Sequence, residues 1–267
     1  MTDLTGTSHP ALTAVLGSGE LQLTGRLMSA SNATFLAELT CGEVVTQCVY
    51  KPIGGERPLW DFPRGTLGLR EVAAYEVSRL GGFDVVPVTV LADGPLGTGS
   101  LQVWVEEDPA QTEAVVDLVP TRTLPREGWF DVVEGTGVRD ESVSVIHADD
   151  PRLRMMAVFD ALINNADRKG GHILGSGGRV FGVDHGIGFH IEPKLRTLLW
   201  GWAGEPLTAA ELTCVRKIGD DVADVLGGLL SEIEIVALLE RAEKLIRRGT
   251  LPRSPRGSWP AIPWPPF

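Results

Sequence analysis

Two aspartates in this chain bracket a glycine-rich hairpin. The run Asp160-Ala161-Leu162-Ile163-Asn164-Asn165-Ala166-Asp167-Arg168-Lys169-Gly170-Gly171-His172 passes from an apolar helical pattern into a polar loop. After the turn Gly175-Ser176-Gly177-Gly178 comes Phe181-Gly182-Val183-Asp184-His185-Gly186. One carboxylate thus follows a helix and the other ends a short strand. Phosphoryl transfer needs such a pair: one carboxylate orients or deprotonates an acceptor hydroxyl, and another holds a metal against a triphosphate. Each aspartate also has a plainer reading as a loop or turn residue, and a lone histidine such as His172 reads as structural.

The elements that must hold these residues follow from periodicity. Residues 19–50 alternate as three strands, with a polar break at 28–33, and Lys51-Pro52 closes the third because proline cannot continue a ladder. A loop over 53–66 carries Gly54-Gly55 and Pro58, a helix is expected over 69–80 with Gly81-Gly82 as its stop, and strands are expected over 85–91 and 100–106. The acidic stretch 109–142 has no clear period. Asp149-Asp150-Pro151 opens a helix over 152–163, and two short strands over 172–174 and 180–183 flank the glycine turn. Helices are expected around 193–200, over 208–230, where Thr208 and Glu211 fit a capping box, and over 232–248. The proline- and tryptophan-rich tail 252–267 reads as extended.

On these residues the chain resembles a known superfamily. Asp167-Arg168-Lys169-x-x-His172 followed by Val183-Asp184-His185-Gly186 is similar to the Asp-Arg-His-x-x-Asn and Asp-Phe-Gly pair of phosphatidylinositol 3- and 4-kinases. It also resembles the matching loops of HipA-type bacterial serine kinases and secretory-pathway protein kinases, and above all an actinobacterial group labelled phosphatidylinositol 3-/4-kinase-like. The resemblance covers about residues 20–200 and includes Arg70-Glu71-Val72-Ala73-Ala74-Tyr75 with Leu80-Gly81-Gly82-Phe83 and Val86-Pro87 after it. It implies an α+β, bilobal, protein-kinase-like fold with a small antiparallel β-rich N-lobe and a mainly helical C-lobe.

The same resemblance assigns roles. Asp167 is implied as catalytic base and Asp184 as metal ligand, with His172 at the position of a second metal ligand. Lys51 stands where kinases place the lysine that meets the nucleotide phosphates. Glu71 is its acidic partner or reaches metal. The turn Ser29-Ala30-Ser31-Asn32 takes the phosphate-loop position, where small residues let backbone N–H groups approach phosphate. The backbone near Trp104 and Val105 is the implied adenine contact. ATP and a divalent metal, Mg²⁺ or Mn²⁺, are the implied cofactors, and an unknown hydroxyl-bearing acceptor the partner. Two departures stand out: His172 replaces asparagine, which favours transition metals over Mg²⁺, and Lys169 replaces histidine. They motivate an alternative, a nucleotide-binding pseudokinase acting as a scaffold. His185 and His190 are expected to be structural or substrate-facing, and Trp200, Trp202, Trp259 and Trp264 to anchor segments by burial.

Composition sets the outer bounds. The 267 residues divide, on this reading, into an N-terminal extension (1–18), an N-lobe (19–107), a C-lobe (108–251) and the tail (252–267). With 43% hydrophobic and 22% charged residues the chain has a globular balance. Its net charge of -11 argues against a nucleic-acid or anionic-membrane partner. The three cysteines, Cys41, Cys48 and Cys214, read as reduced thiols rather than zinc ligands. With no signal-like start and no membrane-length apolar run, a cytoplasmic protein without membrane insertion is expected.

Overall fold

The alternation near the N-terminus becomes one sheet. In the computed structural model, residues 9–28, 32–125, 127–219, 221–254 and 261–267 are described. Helix α1 (His9–Ser18) buries Leu12 and Leu16 and leads into strands β1 (Glu20–Arg26), β2 (Phe35–Cys41) and β3 (Val44–Pro52). Ala37 and Leu39 of β2, with Cys48 and Tyr50 of β3, point to the core while their neighbours do not, the period-2 pattern of a sheet with one buried face. Helix α2 (Leu67–Gly81) follows, starting two residues earlier than the spacing suggests. It ends where Gly82 turns left-handed at φ 71°. Strands β4 (Thr89–Gly94) and β5 (Gly97–Val103) complete an antiparallel sheet of order β1-β2-β3-β5-β4. The strand expected from 85 begins only at Thr89. Val85 and Val86 are buried but donate their N–H groups to Ser78 Oγ, and the Val85 carbonyl accepts from Gly182 N, so no ladder forms there.

Beyond the sheet, the acidic stretch without clear period is structured. It contains α3 (Pro109–Glu113), β6 (Val116–Pro120), β7 (Trp129–Thr136) and β8 (Ser142–Ala148), and the strands form a sheet of order β6-β8-β7. Helix α4 (Pro151–Ile163) opens as expected, with Asp150 accepting from Arg152 N and Pro151 in the first turn. The hairpin is β9 (Ile173–Ser176) with β10 (Arg179–Gly182). The segment 193–200 is not helical. The helix expected over 208–230 is two, α5 (Ala209–Arg216), with the Thr208–Glu211 capping box, and α6 (Val222–Leu226). Helix α7 (Glu232–Arg248) matches its expected span, capped by Ser231 and Glu234 and ended by Gly249 at φ 62°.

The result is an α+β molecule: a five-stranded antiparallel sheet with one long helix, then a part that carries most of the helices. One apolar cluster links them, from Leu12 and Leu16 through Tyr50 and Val77 to Phe159, Leu162 and Leu238. Each such side chain, fully buried, contributes about 1.5–3 kcal/mol before entropy is counted. No described helix is long and apolar enough to cross a membrane.

Candidate active site

Strand β3 delivers Lys51 to the edge of a cleft. Tyr50 on the inner face anchors the strand end, and Gly99 of β5 lets the backbones close up, since a Cβ there would sit 2.4 Å from the Lys51 carbonyl oxygen. Lys51 Nζ donates to Glu71 Oε1 at 2.6 Å and to Asp184 Oδ1 at 2.9 Å. The second Glu71 oxygen accepts the His185 N–H at 3.1 Å, so this buried carboxylate ties α2 to both β3 and the segment after β10. Both Glu71 oxygens thus accept a hydrogen bond, one from the Lys51 ammonium and one from the backbone. Although desolvation works against its charge, the two carboxylates Asp184 and Glu71 hold the Lys51 ammonium above its ordinary pKa. Lys51 in turn holds the Asp184 carboxyl well below the usual carboxylate range.

Asp184 takes a left-handed backbone, φ 61°, a conformation that non-glycine residues adopt at a cost of about 1–3 kcal/mol. Its side chain is half exposed into the cleft, and Oδ2 lies 3.4 Å from His172 Nε2. The other ring nitrogen of His172, Nδ1, lies 2.8 Å from the Asp167 carbonyl oxygen. A carbonyl only accepts, so Nδ1 carries the proton and Nε2 presents a lone pair toward a carboxylate. Burial lowers the His172 pKa, which favours that neutral form. Two electron-pair donors meeting at this distance fit a cation between or beside them. Among the described residues no group of three or more histidine, cysteine, aspartate or glutamate side chains assembles as a metal cage. A cation held by Asp184 and His172 would draw its remaining ligands from phosphate and water.

Asp167 stands across the same cleft. Its N–H donates to Asn165 Oδ1, and its carboxylate lies 3.3 Å from Lys169 Nζ. Burial pushes the Asp167 carboxyl up, while Lys169 and His172 pull the other way. Behind it, Arg168 is fully buried. Its guanidinium pairs with both oxygens of Asp160, at 2.9 Å each, and Nη1 donates to the His172 and Val183 carbonyls at 3.1 Å. Burial, and then the Arg168 guanidinium whose Nη2 lies 2.6 Å from His185 Nε2, push the pKa of that ring well down and keep it neutral. His185 is thus structural. His190 is structural too, donating through Nε2 to the Asp61 carbonyl while Nδ1 accepts the Glu192 N–H.

The residues named from sequence are mostly brought together. Lys51, Glu71, Asn32, Trp104, Val105, Asp167, His172 and Asp184 all line one cleft of about 590 Å³, a volume in the range of small-molecule sites. Ser29 and Ser31, like Trp259, lie outside the described residues. Asn32 is partly spoken for, because its Oδ1 accepts the Arg57 N–H at 2.8 Å. The Trp104 N–H donates to the Gln47 carbonyl, which removes it as a ligand donor. Trp202 is buried with its indole N–H on Asp149, and Trp200 donates to the Ala261 carbonyl, as the anchoring role requires. Trp264 is exposed and anchors nothing by burial.

Sequence reasoning missed the loop between β3 and α2. Glu56 accepts from Leu67 N and Gly68 N and so caps α2 from a distance, while Arg57 and Leu59 line the cleft. Asp61 pairs with Lys194, and Phe62 packs edge-on against His190, which fastens the loop to the segment after Asp184. Only Gly54-Gly55 and Pro58 marked this loop in sequence. The apolar walls Leu27, Val49, Val103, Leu174 and Val183 were equally silent. In a chain of net charge -11, Lys51, Arg57 and Lys169 bring three cations to the cleft.

No family model matches the sequence. Among solved structures, the Helicobacter pylori proinflammatory kinase CtkA aligns with a TM-score of 0.46 at 11% identity, covering 88% of this chain and 94% of that one. Protein Rv2133c of Mycobacterium tuberculosis is 50% identical over 266 residues, which is 95% of each chain. At that identity and coverage the chain belongs to the same family as the mycobacterial Protein Rv2133c.

Proposed function

We propose that this chain is an ATP-dependent phosphotransferase of the phosphatidylinositol 3-/4-kinase-like, HipA-like kind, moving the γ-phosphoryl group to a hydroxyl acceptor. The single observation that carries the reading is the convergence of Lys51, Asp167 and Asp184 on one nucleotide-sized cleft, with Glu71 bracing the lysine. The cleft then lies between an N-lobe over 19–107 and a C-lobe over 108–251. Its walls of Leu27, Val49, Val103, Leu174 and Val183 suit an adenine ring, and the Val105 backbone is the contact left for its polar edge. Lys51 meets the phosphates. Asp184 and His172 hold the divalent metal, whose chemistry is to neutralise charge developing on the transferred group. Asp167 orients the acceptor hydroxyl and takes its proton, a task that a carboxyl with a raised pKa performs better than an ordinary one. Lys169, beside it, offsets negative charge on the phosphoryl group.

A protein serine or threonine is a better acceptor than a lipid. The run Lys244-Leu245-Ile246-Arg247-Arg248 is one helix end and not a membrane-facing basic surface. The test is phosphate transfer from labelled ATP with Mg²⁺ or Mn²⁺, read alongside a nucleotide thermal shift. Asp167→Asn should abolish transfer and keep the shift, whereas Asp184→Ala should lose the metal-dependent part of the shift. Full turnover by Asp167→Asn refutes the base assignment.

A nucleotide-binding scaffold without transfer is the second reading. It is favoured by the 2.9 Å contact of Lys51 with Asp184, which occupies one oxygen of the metal-binding carboxylate, and by His172 in place of asparagine. A nucleotide shift with no transfer under either metal decides for it.

A further inference from the structure

The catalytic-loop residues Lys169 and His172 are joined by two consecutive glycines, Gly170 and Gly171. Such a pair has more backbone freedom than any other dipeptide, and fixing it costs correspondingly more. On either side of the pair, Lys169 lies against Asp167 and His172 against Asp184. Gly171 is exposed, whereas Gly170 is buried. What covers Gly170 comes from the far end of the sequence. Its N–H donates to the Pro266 carbonyl at 2.8 Å, and the ring of Phe267 lies so close that a Cβ on Gly170 would meet three ring carbons at 2.3–2.5 Å. The same tail segment is held further along. Pro263 is buried, and the Ala261 carbonyl accepts from Thr197 N and Trp200 Nε1.

We propose that the segment 261–267 is a clamp on the catalytic loop, with Phe267 as a positioning residue that fixes Gly170 and through it Lys169 and His172. This rests on the phosphotransfer reading given above. The clamp explains why position 170 is glycine: the three nearest neighbours of the added carbon all belong to Phe267, and the backbone there is not left-handed. It also gives the aromatic tail a task at the cleft rather than at a remote surface.

The test uses the full chain with MgATP and water as acceptor, so that ATP yields ADP and phosphate without a named protein substrate. Phe267→Ala and Gly170→Ala are each expected to lower kcat roughly ten- to a hundredfold, the scale of a small misplacement of reacting groups, with KM for nucleotide unchanged. Phe267→Tyr should retain the parent kcat. Because the three nearest atoms to the added methyl of Gly170→Ala are ring carbons of Phe267, the double variant should be no worse than Phe267→Ala alone. Additive losses, or a kcat for Phe267→Ala that is unchanged or raised, overturn the clamp. If the unaltered chain turns over no ATP, the functional reading fails instead. Amide exchange at Gly170 then still decides the clamp: exchange at least about tenfold faster in Phe267→Ala supports it, and unchanged exchange overturns it.

Discussion

Replacing Arg168 with methionine removes one half of an ion pair that solvent does not touch. The side chains of Arg168 and Asp160 are both 0% exposed. In the variant, Asp160 keeps one side-chain donor, Asn165 Nδ2 at 2.9 Å, and loses two bonds from the guanidinium. The His172 and Val183 carbonyls lose their shared donor as well. Breaking a buried pair from one side costs about 3–5 kcal/mol, because a charge is left uncompensated. Against a total stability of about 5–15 kcal/mol, that is a large fraction. A loss of about 4 kcal/mol corresponds to a fall in Tm of roughly 8–16 °C for a chain of this size. Urea unfolding followed by the fluorescence of the seven tryptophans measures it directly. Asp160→Leu together with Arg168→Met removes the stranded charge and should recover most of the loss. A single variant within about 1 kcal/mol of the parent, or a double variant as unstable as the single, refutes the reasoning. Since Arg168 bonds the carbonyls of His172 and of Val183, just before Asp184, and follows Asp167, the folded fraction of Arg168→Met should also lose its nucleotide shift.

Three further outcomes are expected. Lys51→Met should keep the fold and weaken nucleotide binding about tenfold or more, as loss of a charged hydrogen bond of about 1.5–3 kcal/mol implies; calorimetry with unchanged affinity removes Lys51 from the site. His147, fully buried in β8, donates through Nδ1 to the Ala148 carbonyl and accepts the Gly201 N–H at Nε2, so it is held neutral, and burial lowers its pKa. A depressed folded pKa gives stability that is whole above the unfolded value of about 6.5 and is lost as pH falls below it, by up to about 1.4 kcal/mol per pH unit; His147→Gln should flatten the urea-midpoint slope between pH 6.5 and 5.5 by that share, and an unchanged slope contradicts it. The Cys48 thiol, buried in β3, is pushed up to about 12, and Cys214 is also raised by burial, so alkylation of the native protein near pH 8 should mark Cys41 first; equal labelling of Cys48 by mass spectrometry speaks against this packing.

Much of this architecture is written locally. β2 and β3 alternate over enough residues to be read, and Asp150-Pro151 and Thr208–Glu211 carry their capping chemistry within four residues. The sheet of β6, β7 and β8 was not legible for a physical reason. β7 is an edge strand with a register shift between Asp131 and Val133, none of its positions is fully buried, and the exposed Asp131 and Glu134 interrupt its apolar residues. The segment 193–200 misleads in the opposite direction. It has residues a helix accepts, but its backbone is bonded at long range: Lys194 N to Asn164 Oδ1, Arg196 N to the Asn165 carbonyl, and Leu198 N to the Arg168 carbonyl. Those partners come from the end of α4 and the loop that carries Asp167, so tertiary structure overrides propensity.

The candidate site divides along the same line. Lys51 and Asp184 are 133 residues apart and nothing in their spacing brings them within 2.9 Å; the order of motifs suggested it, and packing of α2 against both partners achieves it. Glu71 is the hinge of that argument because its two oxygens answer to different elements, Lys51 on β3 and the His185 N–H after β10. Its neighbour Arg70 does the same one step further out, pairing with Glu234 of α7 and donating to the Gly188 carbonyl at 2.8 Å. Adjacent residues on α2 thus bind the sheet and the helical part together at the point where phosphate is expected. A helix held at both Arg70 and Glu71 has little freedom to swing away from the cleft.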